Sequence, residues 1–156
     1  AIDVPAYSER ESQDVLAIVV GEADVETFRA LGEIARIFRK VSPGTRLIVL
    51  GKTFDDWRLM AMGNVFATGD VDEATLSLHL AIHRPAGVFF TSRRWGWVDP
   101  RRRDLVTAGW PVAAFVWAGA GAPRDGAALH LASTGRDAAR AVADWFSDLA
   151  KSRPSS

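Results

Sequence analysis

Five arginines fall within eleven residues, at Arg93, Arg94, Arg101, Arg102 and Arg103, in the stretch "TSRRWGWVDPRRRDLVTAGWPVAAF" that runs from Thr91 to Phe115. Guanidinium groups beside a helix N-terminus can hold a phosphate through forked donors, with the helix dipole in support. Trp95 and Trp97 lie between the two groups of arginines and offer rings for stacking on a base or a sugar, or simply for covering the loop. Three consecutive arginines on a helix splay over most of its circumference, so Arg101, Arg102 and Arg103 cannot all face one ligand. The stretch reads either as an anion-binding loop and helix or as a solvated helix start between buried strands.

Other chemistries find less support. His79 and His83 stand four apart, which is ligand spacing, but no carboxylate follows where a zinc-protease helix requires one, so a structural role is favoured. His130 falls in an apolar run that reads as a strand. Ser92 lacks the glycines of a nucleophile elbow. "VVGEADVE" lacks the second and third glycines of a dinucleotide fingerprint, and "LGKTFDD" lacks the upstream glycine of a phosphate loop. No metal site is expected. The chain has no cysteine, which excludes disulfides and thiolate metal sites.

Short apolar runs alternate with amphipathic stretches along the chain. Residues 15–20, 45–51, 64–69, 86–92, 111–118 and 128–133 read as strands, and the first of these, "VLAIVV", is apolar on both faces. Between them lie helical stretches at 24–41, 55–61 and 72–84, the last with Asp72 as N-cap, and a closing helix at 134–152. On the 24–41 helix, Val25, Phe28, Leu31, Ala35 and Phe38 share one face. A fourth helix opens at Asp99 as N-cap with Pro100 in the first turn, and stops at Gly109. The expected fold is α/β: a doubly wound, Rossmann-like parallel sheet of about six strands with helices on both faces. Ligands of such a sheet bind outside the carboxyl ends of the strands, here near Gly21, Gly51–Thr53, Thr68–Asp70, Thr91–Arg94 and Gly119–Gly121.

At 156 residues this is one domain's length, and the boundaries expected are a linker over 1–13, the domain over 14–152 and a tail over 153–156. The 19 basic residues balance the 19 acidic ones, which argues against a dedicated nucleic-acid or anionic-membrane binder. No apolar stretch is long enough to span a bilayer. The expected place is the cytoplasm, with the inner face of the membrane open to it only as a peripheral protein.

"TRLIVLG", "NVFATGDVDEATLSLHL" and "FFTSRRWGWVDPRRRDLVTAGWPVAAF" resemble the C-terminal lobe of a GT-B glycosyltransferase of the retaining, group 1 kind, and "VTAGWPVAAF" is the most specific match. The resemblance covers roughly residues 14–150. It implies a lobe that binds a nucleotide diphosphate sugar, with the acceptor held by another lobe or domain of the parent chain. No cofactor is implied beyond that substrate. The family places two glutamates eight positions apart in this stretch. The second falls on Asp104, a carboxylate on a shorter arm, and the first on Gly96, which has no side chain. The family's basic clamp after the first strand is replaced by the acidic "GEADVE", leaving Lys52 or the pair Arg93 and Arg94 to neutralise a diphosphate. The donor-site residues implied are Gly21, Lys52, Thr68, Gly69, Arg93, Arg94 and Asp104, with no catalytic residue assigned. The implied function is sugar transfer from the nucleotide to an unknown acceptor. A degenerate, non-catalytic GT-B-like module for binding or assembly is the alternative. A flavodoxin-like or response-regulator-like domain shares the fold class, but the first strand end lacks the acidic pair that it would need.

Overall fold

The computed structural model describes residues 4–7, 14–19, 25–69, 71–72, 75–91, 100–115, 128–131 and 140–146. Six strands form a single sheet: β1 (Val15–Ile18), β2 (Leu47–Leu50), β3 (Val65–Ala67), β4 (Gly87–Phe90), β5 (Val112–Phe115) and β6 (Ala128–Leu131). Every neighbouring pair is parallel, in the order β3-β2-β1-β4-β5-β6. The chain thus winds outward from β1 to β3, crosses back to β4, and winds outward again. The order reverses between β1 and β4, as expected of a doubly wound α/β domain.

The central strands are buried along their whole length, which is why they read as unbroken apolar runs rather than alternating ones. Helices α1 (Val25–Val41), α2 (Asp56–Met60), α3 (Thr75–His83) and α4 (Pro100–Thr107) fill the crossovers, and residues 140–146 form a closing helical segment, α5. One core, which includes Leu31, Phe38, Leu59, Val142 and Phe146, packs α1, α2 and α5 on one face of the sheet. The other, which includes Leu76, Leu80, Leu105 and Trp110, packs α3 and α4 on the opposite face. Close packing dictates one residue at the start of β4. A Cβ on Gly87 would lie 2.2 Å from Cε1 of Phe146, so only glycine lets α5 dock there.

Strands β1 to β4 are shorter than the sequence suggests, because their hydrogen-bonded ladders stop where apolar composition still continues. On α1 the buried face is made by Leu31, Ile34, Ala35, Ile37 and Phe38, while Val25 is exposed at the first turn. Helix α3 is described from Thr75, three residues after Asp72, the expected N-cap. The Thr75 N–H and hydroxyl both donate to the Asp72 carbonyl, at 3.0 and 2.6 Å. Pro100 does open α4, and Gly109 (φ +90°) ends it, with the Gly109 and Trp110 N–H groups donating to Val106 and Leu105. Asp99 lies outside the described residues.

Residues 4–7 lie against this turn at the amino edge of the sheet. Trp110 donates its indole N–H to the Pro5 carbonyl (2.8 Å), and Tyr7 donates its backbone N–H to the Ala108 carbonyl (2.9 Å). The Tyr7 and Trp110 rings meet edge to face at 5.2 Å.

Candidate functional site

The carboxyl edge near the reversal of strand order is the place where this architecture leaves room for a ligand. Its geometry starts from register. Ile18 pairs with Leu50 on one side and with Phe90 on the other, so Gly51, Val19 and Thr91 follow as the next row across β2, β1 and β4. Gly51 has φ +119°, and a Cβ there would stand 3.0 Å from the Val19 Cβ. Its N–H donates to the Thr68 hydroxyl (3.0 Å), which in turn donates to the Gly69 carbonyl (3.0 Å). Thr68 is therefore a latch that ties the end of β2 to the end of β3, where Gly51 and Gly69 form an isolated antiparallel bridge. Its only proton is spent inside the protein. Gly69 has φ +74°, and among the described residues nothing lies within 4 Å of the position its Cβ would take. Its backbone stands beside the end of β2, where the next residue, Lys52, is exposed.

The segment after Gly51 explains why "GKT" is not a phosphate loop. Thr53 is buried, and both its N–H (2.8 Å) and its hydroxyl donate to one carboxylate oxygen of Asp56. Asp55 caps α2 by accepting from the Arg58 N–H (3.1 Å). The protein's own carboxylates occupy the donors that a phosphate loop would turn toward an anion. Phe54 and Trp57 stand on the same turn, Trp57 with 83% of its surface exposed. Phe54 leans on Phe28 of α1 at 5.8 Å between ring centroids.

The sequence names Thr91 only as the first residue of the Thr91–Arg94 strand end, with no role of its own. It is 3% exposed, and its hydroxyl has no hydrogen-bond partner among the described residues, although its N–H is held by the Ile18 carbonyl (3.1 Å). A buried, unpaired hydroxyl costs about 1–3 kcal/mol, so its place beside the strand-order reversal marks it as a group with unused hydrogen-bonding capacity. A threonine at an apolar strand's end is the only signal the sequence offered for it.

The three arginines of α4 splay as their spacing requires: Arg101 is half-buried, Arg102 is buried with 5% exposed, and Arg103 is exposed. Asp104 is half-buried one turn into α4, the helix that follows β4. Of the remaining donor-site residues expected from sequence, Gly21, Arg93 and Arg94 lie outside the described residues, as does Gly96. The structure brings Gly51, Thr68 and Gly69 together with Lys52 as their chain neighbour, and places Asp104 on a separate element.

The histidines belong to the opposite edge. His79 and His83 stack with centroids 5.4 Å apart and planes 7° from parallel. His83 Nδ1 is 4.0 Å from the Asp14 carboxylate, which accepts two hydrogen bonds from Arg46, at 3.2 and 2.9 Å. Burial, then the neighbouring His79, push the His83 pKa below its ordinary value. Asp14 opposes that shift and Arg46 adds slightly to it. Among the described residues no group of three His, Cys, Asp or Glu side chains is placed to hold a metal ion. No described helix is long and apolar enough to cross a membrane.

Sheet order and the two helical layers define a Rossmann-like α/β domain. No family model and no curated protein matches the sequence. Among solved structures, the fold is similar to GT-B glycosyltransferases at low identity. A mutant TarM of S. aureus, solved with fondaparinux, alpha-GlcNAc-glycerol and UDP, matches 96% of this chain at TM-score 0.66 and 15% identity. WaaG, a glycosyltransferase involved in lipopolysaccharide biosynthesis, matches 89% at TM-score 0.50 and 15% identity. Carbon monoxide dehydrogenase from Thermococcus sp. AM4 matches 93% at TM-score 0.56 and 11% identity. The match covers 32% of the TarM chain, 42% of WaaG and 22% of the dehydrogenase, so this chain spans about a third of the length of TarM. What is shared at these identities is the fold.

Proposed function

We propose that this chain is the donor-binding lobe of a glycosyltransferase-like protein, holding a nucleotide diphosphate sugar at its carboxyl edge while another lobe holds the acceptor. The observation that carries this reading is the left-handed Gly69, whose missing Cβ would meet no described atom within 4 Å, beside an exposed Lys52 at the carboxyl edge of a GT-B-like sheet. UDP in the TarM complex supplies the chemical class of the probe. In this reading Asp104 accepts from ribose hydroxyls, Lys52 with Arg93 or Arg94 balances the diphosphate, and Gly21 with Thr68 and Gly69 lines the donor or its base. Protein cations and helix dipoles stabilise the leaving diphosphate without a metal.

Titration of the chain with UDP and GDP tests this. Binding is expected, and Asp104→Ala should weaken it about tenfold or more, since a hydrogen bond to a charged group contributes about 1.5–3 kcal/mol. No binding of either nucleotide would remove the donor reading for this chain.

One observation favours the second reading, a non-catalytic module for binding or assembly. The described polar side chains around the end of β2 are mostly occupied by their own neighbours: Thr53 by Asp56, Thr68 by Gly51 and Gly69, and Asp55 by the start of α2. An edge so satisfied can support a sheet without holding a ligand.

A further inference from the structure

Thr91 stands one residue beyond the end of β4, and its N–H still bonds to the Ile18 carbonyl, so it continues the ladder with β1. Side chains alternate along a strand. Phe90 belongs to the core under α3 and α4, whereas Phe89 belongs to the core under α1 and α5, and the Phe146 ring fills the space at Gly87. Alternation therefore places the Thr91 side chain on the α1 side of the sheet. The neighbour in its row is Val19, which packs against that same core and has no polar side-chain atom to offer. Two other described side-chain atoms are buried and unpaired, Asn64 Oδ1 and His79 Nδ1. Both belong to the amino edge, and the Asn64 amide still donates to the Ala35 carbonyl (2.9 Å). The buried Thr45 and Thr53 are engaged, by Ser42 and Asp56. Among the described residues, Thr91 alone leaves a buried polar atom unused at the carboxyl edge. Valine has the same shape and suits a strand as well, and it would avoid the cost of the unpaired hydroxyl.

We infer that the Thr91 hydroxyl is a ligand contact, donating its proton to a phosphate oxygen of the nucleotide held at this edge. The inference rests on the donor-lobe reading and adds to it a residue that the family resemblance does not supply. Charge favours an anionic partner, because Arg93 and Arg94 follow two and three positions on in the chain. A hydrogen bond to an ionised oxygen is about twice as strong as one between neutral groups, and a low dielectric strengthens it further. Because Thr91 is buried, the nucleotide displaces part of its cover to reach it.

Two measurements on Thr91→Val test this together: urea unfolding, and titration with UDP and with uridine. The expected changes differ in sign. The urea midpoint should hold or rise, whereas UDP binding should weaken about tenfold or more and uridine binding should not change. Thr91→Ser, which keeps the hydroxyl, should retain most of the UDP affinity. A lower urea midpoint in Thr91→Val would show that the fold itself uses the hydroxyl, and would overturn the inference. Equal UDP binding by the wild-type chain and Thr91→Val overturns it too, while leaving the donor-lobe reading in place. So does an equal loss of UDP and uridine binding, which would put the hydroxyl on the nucleoside. A wild-type chain that binds no UDP removes the donor-lobe reading itself, and the Thr91 contact with it.

Discussion

The two edges of the sheet use glycine in opposite ways. At the amino edge, the space beside Gly87 is filled: the Phe146 ring lies where a Cβ would go. At the carboxyl edge, the corresponding space beside Gly69 holds none of the described residues within 4 Å. Side chains follow the same division. Asp14, Arg46, His83 and His79 engage one another at the amino edge, where Trp110 also fastens residues 4–7. Around the end of β2, Thr68 and Thr53 are drawn inward, and Gly51 packs against Val19. Among the described residues, these contacts close the amino edge, whereas the carboxyl edge has room beside Gly69. That is the division expected where ligands approach the carboxyl ends of parallel strands.

Paired substitutions probe this contrast with the largest effect. Gly87→Ala forces a methyl into a buried aromatic ring and should destabilise the chain by about 3 kcal/mol, the upper range for overpacking. Gly69→Ala meets open space and bears only the left-handed backbone penalty, about 1 kcal/mol. Urea unfolding of the two variants measures the difference. Equal losses would mean that the carboxyl edge is as tightly closed as the amino edge.

The fold was legible because its information is periodic: buried strands, amphipathic α1, and the Pro100 and Gly109 brackets of α4 each carry a local signature. The site was less legible because its character depends on which partner a side chain meets. Thr53 and Thr91 look alike in sequence, but one is bonded by Asp56 three residues on and the other ends unpaired in the interior. Thr68 was rightly placed at a strand end, but its role as a latch comes from Gly51, seventeen residues away. On α3, only the structure shows that Leu76 and Leu80 face the core while Leu78 faces outward.

Trp110→Phe probes the amino edge more gently. It keeps the ring but deletes the donor to the Pro5 carbonyl, and should cost about 1 kcal/mol in urea unfolding. Limited proteolysis within residues 4–7 should become faster in the same variant. Unchanged stability and protection would show that the contact with Tyr7 alone holds the segment.

The histidine pair gives that edge a pH dependence. With its pKa lowered on folding, His83 takes up a proton more readily in the unfolded chain. Its contribution is therefore full above the ordinary histidine value of about 6.5 and is lost as pH falls from there toward the lowered one. The groups around it are His79, Asp14 and Arg46. The wild-type urea midpoint should decline across that window, and the decline should shrink in His83→Gln. A profile that His83→Gln leaves unaltered would place the titrating group elsewhere.

The smallest effect should come from the carboxyl edge. Lys52 is exposed, so its attraction for a diphosphate is screened, and an exposed ion pair contributes about 0.2–1 kcal/mol. Lys52→Ala should then weaken UDP binding only about two- to fivefold. The loss should fade as salt rises from about 0.05 to 0.5 M, because the Debye length falls below the separation of exposed charges. Uridine, which has no phosphate, should bind both forms equally. If uridine binding also falls in Lys52→Ala, the lysine serves the nucleoside or the local fold, and the open edge would no longer be reading phosphate charge at that residue.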